Sequence, residues 1–129
     1  MATAQQTDRI TEVVDLYVSG CREGDGEKLR QAFHGDARMW GSLGGHRVDI
    51  PITEMIAMVD GKPVDVDGSY QARVTAVEQT EDTAAVTLVE DGFWGTVSFV
   101  DFFSLAQIDG AWKIVNKTFV HTGGEPPAP

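Results

Sequence analysis

The chain has 129 residues, of which 42% are hydrophobic and 23% are charged, so its length and composition fit one globular domain with a core of its own. Its 20 acidic and 10 basic residues give a net charge of −10, which argues against nucleic acid and anionic membrane partners, and no stretch is apolar enough to predict a membrane span. The single cysteine, Cys21, excludes an internal disulfide and a cysteine-based zinc site, and it favours a cytoplasmic location.

Three helices are predicted in the first half of the chain, where apolar residues recur at helical spacing. They cover residues 10–24, 25–35 and 51–61. Asp25 is a suitable N-cap for the second helix, and Pro51 suits the start of the third. Each helix ends at a glycine, the residue that most often terminates a helix.

Strands are predicted wherever apolar and polar residues alternate with a period of two. A short strand pair joined by a glycine-rich turn precedes the third helix, and four longer strands follow it. The predicted strands cover residues 37–40, 46–50, 70–79, 83–90, 96–107 and 112–121. The last four are joined by short connections, so neighbours in sequence should pair antiparallel as a meander.

This order of elements, α-α-β-β-α-β-β-β-β, predicts an α+β fold in which the helices pack on one curved sheet. Residues 9–121 form the expected domain. Residues 1–8 are expected to be a flexible N-terminus, and residues 122–129, which contain three prolines, a flexible C-terminal tail.

Two stretches carry a resemblance to a known family: GDGEKLRQAFHGDARMWG over residues 24–41, and VDFFSLAQIDGAWKIVNKTFVH over residues 100–121. They resemble the nuclear transport factor two-like superfamily, also called SnoaL-like or cystatin-like, and within it the bacterial group labelled "putative lumazine-binding". The resemblance implies a cone-shaped domain with a half-open cavity between the helices and a mostly antiparallel sheet. It does not imply one activity, since this fold hosts isomerases, dehydratases, cyclases, hydrolases and binding proteins.

Asp101 is the polar residue that stands out on the predicted strands, because it shares one face with four apolar side chains. Those neighbours are Val97, Phe99, Phe103 and Leu105. A buried carboxylate must be paired, hydrogen-bonded or neutral, so Asp101 is either satisfied by a neighbour or part of a functional site.

The ketosteroid isomerase branch of the superfamily uses a tyrosine and a protonated aspartic acid to hold a developing oxyanion. The resemblance assigns these positions to Tyr17 and Asp101. The catalytic base of that branch corresponds to Gly41, which has no side chain that accepts a proton. The resemblance therefore disfavours steroid isomerisation itself.

Lys117 and His121 share one face of the last predicted strand with Phe119. A two-residue turn between the last two strands would place Asp101 opposite Thr118, whereas a three-residue turn would place it opposite Lys117 and turn that face inward. In the second register Lys117 could form an interior ion pair with Asp101, and His121 could act as an acid or base near the cavity mouth.

Eight large apolar residues are candidates for the cavity wall: Met39, Trp40, Met55, Met58, Phe93, Trp94, Phe99 and Phe103. Each suits a flat organic ligand, and each also suits an ordinary core. Trp94 lies in a glycine-flanked corner and is the best candidate for gating an entrance. The three histidines are too dispersed to predict a metal site, and no motif predicts a cofactor.

These residues predict a protein that binds a small hydrophobic or aromatic molecule. If it is an enzyme, the expected chemistry is cofactor-independent isomerisation, dehydration or cyclisation, with Asp101, Tyr17, His121 and Lys117 as catalytic residues. A non-catalytic ligand-binding protein or a dimeric interaction domain is the alternative. A homodimer is expected through the outer face of the sheet, where Val100 and Phe102 lie next to Trp112.

Overall fold

The structure is a computed structural model that describes residues 4–126. Its elements follow the predicted order, with three helices and six strands. The helices are α1 (Ala4–Glu23), α2 (Gly26–Ala32) and α3 (Ile52–Val59), and the strands are β1 (Phe33–Leu43), β2 (His46–Pro51), β3 (Gln71–Thr80), β4 (Thr83–Phe93), β5 (Val97–Ile108) and β6 (Ala111–Gly123). The predicted α+β class and element order are confirmed.

The two ends of the described chain are more regular than the sequence pattern indicated. Helix α1 begins at Ala4, so residues 4–8 of the expected flexible N-terminus are helical. Trp112 contributes to this, because its indole Nε1 donates a hydrogen bond of 2.8 Å to Oε1 of Gln6. Strand β6 continues to Gly123, and Thr96 Oγ1 donates to the carbonyl oxygen of Glu125. Residues 1–3 and 127–129 lie outside the described residues.

The six strands form one curved, unclosed sheet in the order β2-β1-β6-β5-β4-β3. All neighbouring strands are antiparallel except β1 and β6, which are parallel. The helices cover the inner face of this sheet, where the apolar side chains that alternate along each strand are buried. No helix within residues 4–126 is both long enough and apolar enough to cross a membrane.

The hairpin between β5 and β6 has a two-residue turn followed by an irregularity. Leu105 pairs with Ile114, whereas the next residue along β5, Ser104, pairs with Asn116. Val115 is therefore an extra residue on β6, as in a β-bulge. The bulge changes which residues of β6 face inward beyond that point.

As a result, neither of the two registers predicted from the sequence occurs. Asp101 lies opposite Phe119 rather than Thr118 or Lys117, and Lys117 lies opposite Phe103. Because the bulge shifts the alternation by one residue, Lys117 and Phe119 are nonetheless buried on the inner face.

The outer face of the sheet exposes several apolar side chains in adjacent strands. Phe102 is 53% exposed, Val120 is 44% exposed and Trp40 is 36% exposed. Phe102 and Trp40 both lie beside Thr118, so these side chains form one surface. Trp112, which we expected on this surface, is instead buried at 4% exposure against α1.

Candidate functional site

A cavity of about 490 Å³ opens between α3, β2 and the inner face of the sheet. Six of the eight predicted wall residues line it: Met39, Met55, Met58, Phe93, Trp94 and Phe99. Leu43, Val48, Ile50, Val59 and Phe119 complete the apolar part of the wall. The cavity therefore matches an apolar or aromatic ligand in its chemistry.

Two predicted wall residues do not line the cavity. Trp40 points to the outer face of β1, where the guanidinium groups of Arg38 and Arg47 lie 6.0 and 5.4 Å from its ring centroid. Phe103 lies deeper in the core, with its ring packed edge-on against Tyr17 at a centroid distance of 5.0 Å. Trp40 and Met39 are neighbours on β1 and face opposite sides of the sheet, whereas Phe103 is on the inner face but lies beyond the extent of the cavity.

Four charged residues line the cavity: Arg47, Asp49, Glu54 and Lys117. Asp49 is ion-paired with Arg38 at 2.8 Å near the surface, and Glu54 lies exposed on the first turn of α3. Lys117 differs from the other three because it is only 5% exposed. It is the buried cation of the cavity wall.

Lys117 is held by a hydrogen-bonded chain that leads away from the cavity. Its Nζ donates to the hydroxyl of Tyr17 at 2.8 Å, and that hydroxyl donates to Oε1 of Glu90 at 3.1 Å. Oε2 of Glu90 accepts a hydrogen bond of 2.6 Å from the hydroxyl of Tyr70. Both carboxyl oxygens of Glu90 therefore accept hydrogen bonds, and Tyr17 links this group to Lys117.

The two tyrosines keep their protons in this environment. Burial raises the pKa of Tyr17 and of Tyr70 above the usual value of a phenol, and the nearby negative charge of Glu90 raises both further. Each hydroxyl therefore donates a hydrogen bond to Glu90 in this structure.

Asp101 lies beside this chain, in surroundings that favour its protonated form. Burial is the main reason that its pKa is raised well above the usual value, and the adjacent Glu90 raises it further by repulsion and by hydrogen bonding, against the opposing effect of Lys117. No hydrogen-bond donor among the described residues reaches either carboxyl oxygen of Asp101.

Two expected interactions of Asp101 are consequently absent. Lys117 turns inward as one register predicted, but its Nζ bonds Tyr17 and makes no ion pair with Asp101. The Tyr17 hydroxyl, assigned with Asp101 to the pair that holds an oxyanion, donates to Glu90 and not to Asp101. Neither Tyr17 nor Asp101 lines the cavity. Within the buried cluster formed by Lys117, Tyr17, Glu90, Tyr70 and Asp101, Lys117 is the residue that lines the cavity.

Glu90 and Tyr70 were missed by the sequence analysis. Glu90 follows Ala84, Val86 and Leu88 on the inner face of β4, and all four are buried. The reasoning that identified Asp101 on β5 applies equally to Glu90, because an acidic residue follows three small or apolar ones at a spacing of two. No comparable signal marks Tyr70, which precedes β3.

His121 lies at the rim and does not line the cavity. Its Nδ1 accepts a hydrogen bond of 3.3 Å from the backbone N–H of Gly44, and its Nε2 lies 3.0 Å from the carbonyl oxygen of Gly123. The ring thus connects the turn between β1 and β2 to the end of β6. These contacts occupy the nitrogens that proton transfer to a ligand would require.

Gly41, the position that the resemblance assigns to the missing base, is tightly packed. A Cβ atom there would lie 2.4 Å from the carbonyl oxygen of Phe119 and 2.6 Å from its ring. No side chain fits this position without movement of β6. No group of three or more histidine, cysteine or acidic side chains within residues 4–126 is arranged to hold a metal ion.

Residues 5–120 match the family described as "Putative lumazine-binding". The protein belongs to this family. The match spans all the elements that form the cavity and the buried cluster, and it places the chain in the nuclear transport factor two-like superfamily.

Three individual proteins illustrate the similarity. The chain is 25% identical over 118 residues to "Aldolase FrzH" from Cladobotryum sp., covering 91% of this chain and 92% of that protein. A nuclear transport factor two-like protein of unknown function from Methylobacillus flagellatus has 28% identity and a TM-score of 0.86, with 95% and 96% of the two chains covered. Another, from Shewanella baltica, has 22% identity and a TM-score of 0.85, with 96% and 99% covered, and shows the fold alone.

Proposed function

We propose that the protein binds a small, mainly apolar or aromatic carbonyl compound and catalyses proton transfer at the carbon next to the carbonyl group, without a cofactor. Isomerisation, dehydration and ring closure all begin with this step. The observation that carries the proposal is the buried Lys117 in an otherwise apolar part of the wall.

Lys117 suits the role of the group that contacts the carbonyl oxygen. Its Nζ has three N–H donors, of which Tyr17 accepts one among the described residues. A fixed cation in an apolar cavity stabilises the negative charge that develops on the oxygen when the neighbouring carbon loses a proton. Tyr17 and Glu90 hold the cation in place before the substrate arrives.

Asp101 is then a positioning residue beside Glu90, since it does not reach the cavity. The base in this proposal is Glu54, whose carboxylate lines the cavity and has no ion-pair partner among the described residues. Asp49 is less suitable because Arg38 holds it. The relative named as an aldolase supports the same class of chemistry, since aldol bond formation also begins with proton loss beside a carbonyl.

Exchange of solvent deuterium into 2-tetralone, followed by NMR, tests this proposal because the compound has an aromatic body and exchangeable protons beside a ketone. We expect the wild-type protein to accelerate exchange, and Lys117→Met to lose about a hundredfold of that rate. Lys113→Met is the matched control, since Lys113 lies on the same strand but its Nζ bonds the Gln31 carbonyl outside the cavity. Thermal unfolding checks that both variants fold.

Equal acceleration by Lys117→Met and the wild type would contradict the proposed role of Lys117. Binding of 2-tetralone with no acceleration would instead favour the second candidate, a non-catalytic ligand-binding protein. The packing around Gly41 favours that candidate, because it leaves no room for a carboxylate where the ketosteroid isomerase branch has its base.

We also propose that the protein forms a homodimer through the outer face of the sheet. Phe102, Val120 and Trp40 form an exposed apolar surface there, and a second copy of the chain would cover it. We propose the cytoplasm as its location, since the buried thiol of Cys21 needs no oxidising compartment.

A further inference from the structure

We propose that Lys117 forms a Schiff base with the carbonyl carbon of an aldehyde or ketone bound in the cavity. This inference rests on the proposed function, because it takes the same cavity and the same class of ligand. It goes further by making Lys117 a nucleophile rather than only a hydrogen-bond donor.

The amine of Lys117 lies among aromatic side chains beside the cavity. The Nζ atom lies 4.9 Å from the ring centroid of Tyr17 and 5.6 Å from that of Phe119, so aromatic side chains surround it while the residue still lines the cavity. A lysine in an apolar cavity is the setting in which proteins use an amine as a nucleophile toward carbonyl groups.

The Lys117 amine must lose a proton before it can act as a nucleophile, and the structure contains a route for that proton. Lys117 donates to the Tyr17 hydroxyl, and the same hydroxyl donates to Glu90. A proton can therefore pass from Nζ to Tyr17 while the Tyr17 proton passes to Oε1 of Glu90, without a water molecule. Transfer along this chain converts an ammonium group and a carboxylate joined by Tyr17 into a neutral amine and a neutral carboxyl group.

Formation of the Schiff base joins the amine to the carbonyl carbon and releases one water molecule. The nitrogen lone pair attacks the carbonyl carbon, and the carbonyl π electrons move to the oxygen. Loss of one proton from the nitrogen and gain of one proton by the oxygen then give a carbinolamine. The carbinolamine oxygen then takes another proton and leaves as water, and a C=N double bond forms. Neither an oxidant nor a reductant is required.

The chain contains its own controls, because Lys117 is one of only four lysines. Lys113 bonds the carbonyl oxygen of Gln31, Lys28 is paired with Glu23, and Lys62 is exposed. None of these three lines the cavity. Accessible lysines react according to exposure, so preferential reaction at the buried Lys117 would require binding in the cavity.

Reductive trapping with 2-naphthaldehyde and sodium cyanoborohydride tests the proposal on the full chain. We expect mass spectrometry to find one naphthylmethyl group, and peptide mapping to locate it on Lys117. Excess 2-naphthalenemethanol, which has the same aromatic body without a carbonyl group, should prevent the reaction. Tryptophan fluorescence reports binding of both compounds, because Trp94 lines the cavity.

Two tyrosine variants test the proton route. Tyr17→Phe removes the hydroxyl between Lys117 and Glu90, so trapping at Lys117 should slow by about tenfold or more. Tyr70→Phe removes the other hydrogen bond of Glu90 but leaves the hydroxyl between Lys117 and Glu90 in place, so it should slow trapping less than Tyr17→Phe does. Peptide mapping of the wild-type protein needs no variant, so the proposal stays testable if one of them fails to fold.

Each outcome has a defined meaning. An adduct on Lys117 that the alcohol prevents supports the Schiff base. Binding of both compounds with no adduct on Lys117, or with labelling of the exposed lysines alone, overturns the Schiff base and leaves the proposed function standing. Absence of binding by either compound overturns both proposals for aromatic carbonyl ligands.

Discussion

At the scale of single residues, the buried cluster depends on the charge of Asp101. Its pKa is raised mainly by burial and then by Glu90, so the folded protein keeps the Asp101 proton under conditions in which the unfolded chain releases it. Folding is therefore coupled to proton uptake at this residue above the pKa of an unfolded aspartate, about 3.9.

The raised pKa of Asp101 makes the stability of the folded protein depend on pH. Above about pH 4 the native state binds more protons at Asp101 than the unfolded state, so the contribution of Asp101 to the free energy of unfolding falls as pH rises. We expect Asp101→Asn, which is nearly isosteric and does not titrate, to remove this fall. The difference in stability between the variant and the wild type should shift in favour of the variant by about 1 kcal/mol per pH unit.

Urea denaturation at pH 5, 6 and 7 measures this difference. Asp15→Asn is the matched control, because Asp15 is exposed on α1 and its side chain has no hydrogen-bond or ion-pair partner within residues 4–126. A stability difference for Asp101→Asn that stays constant with pH would show that Asp101 is ionised in the folded protein.

Part of this site could be predicted from the sequence. Strand alternation was enough to predict that Asp101 is buried and that its pKa is perturbed, because the pattern of apolar neighbours is local. It did not find the partner of Tyr17, since Tyr17 and Glu90 are 73 positions apart and meet only in the folded chain. The identity of a buried hydrogen-bond partner is a property of tertiary packing.

At the scale of elements, the contact between β1 and β6 sets the position of Lys117. Gly41 pairs with Phe119 on the adjacent parallel strand, and there is no space for a Cβ atom between them. We expect Gly41→Ala to destabilise the protein by about 1–3 kcal/mol, because the nearest atom is a backbone carbonyl oxygen that cannot rotate away.

Gly35→Ala on the same strand is the control. Nothing lies within 4 Å of a Cβ atom at Gly35, and its backbone does not have a positive φ, so the change should stay within about 0.5 kcal/mol. Chemical denaturation of the two variants side by side measures the effect. Similar stabilities would show that β1 and β6 can separate at Gly41 without cost.

The bulge at Val115 explains why the sequence predicted the elements better than their register. Alternation and turn residues are local signals, and they located all six strands. A single inserted residue leaves no clear pattern in the sequence, yet it reverses which side chains of β6 face the cavity. Whether Lys117 faces inward therefore required the structure.

At the scale of the whole molecule, the exposed apolar surface of the sheet predicts self-association. We expect light scattering at micromolar concentration to give twice the chain mass of 14.0 kDa. Phe102→Asp places a charge in this surface and should weaken the dimer by about tenfold or more. Val66→Asp is the control, since Val66 is an exposed apolar residue of the loop before β3. A monomer for the wild type would contradict the dimer.

The central claim is that Lys117 recognises the carbonyl oxygen of an apolar ligand. Calorimetric titration of 2-tetralone and tetralin, which has the same rings without the oxygen, tests it most directly in the wild type, Lys117→Met and Lys113→Met. A hydrogen bond to a charged donor contributes about 1.5–3 kcal/mol, so the wild type and Lys113→Met should prefer the ketone by about tenfold or more. Lys117→Met should bind both compounds equally, and a preference for the ketone that persists in Lys117→Met would contradict the claim.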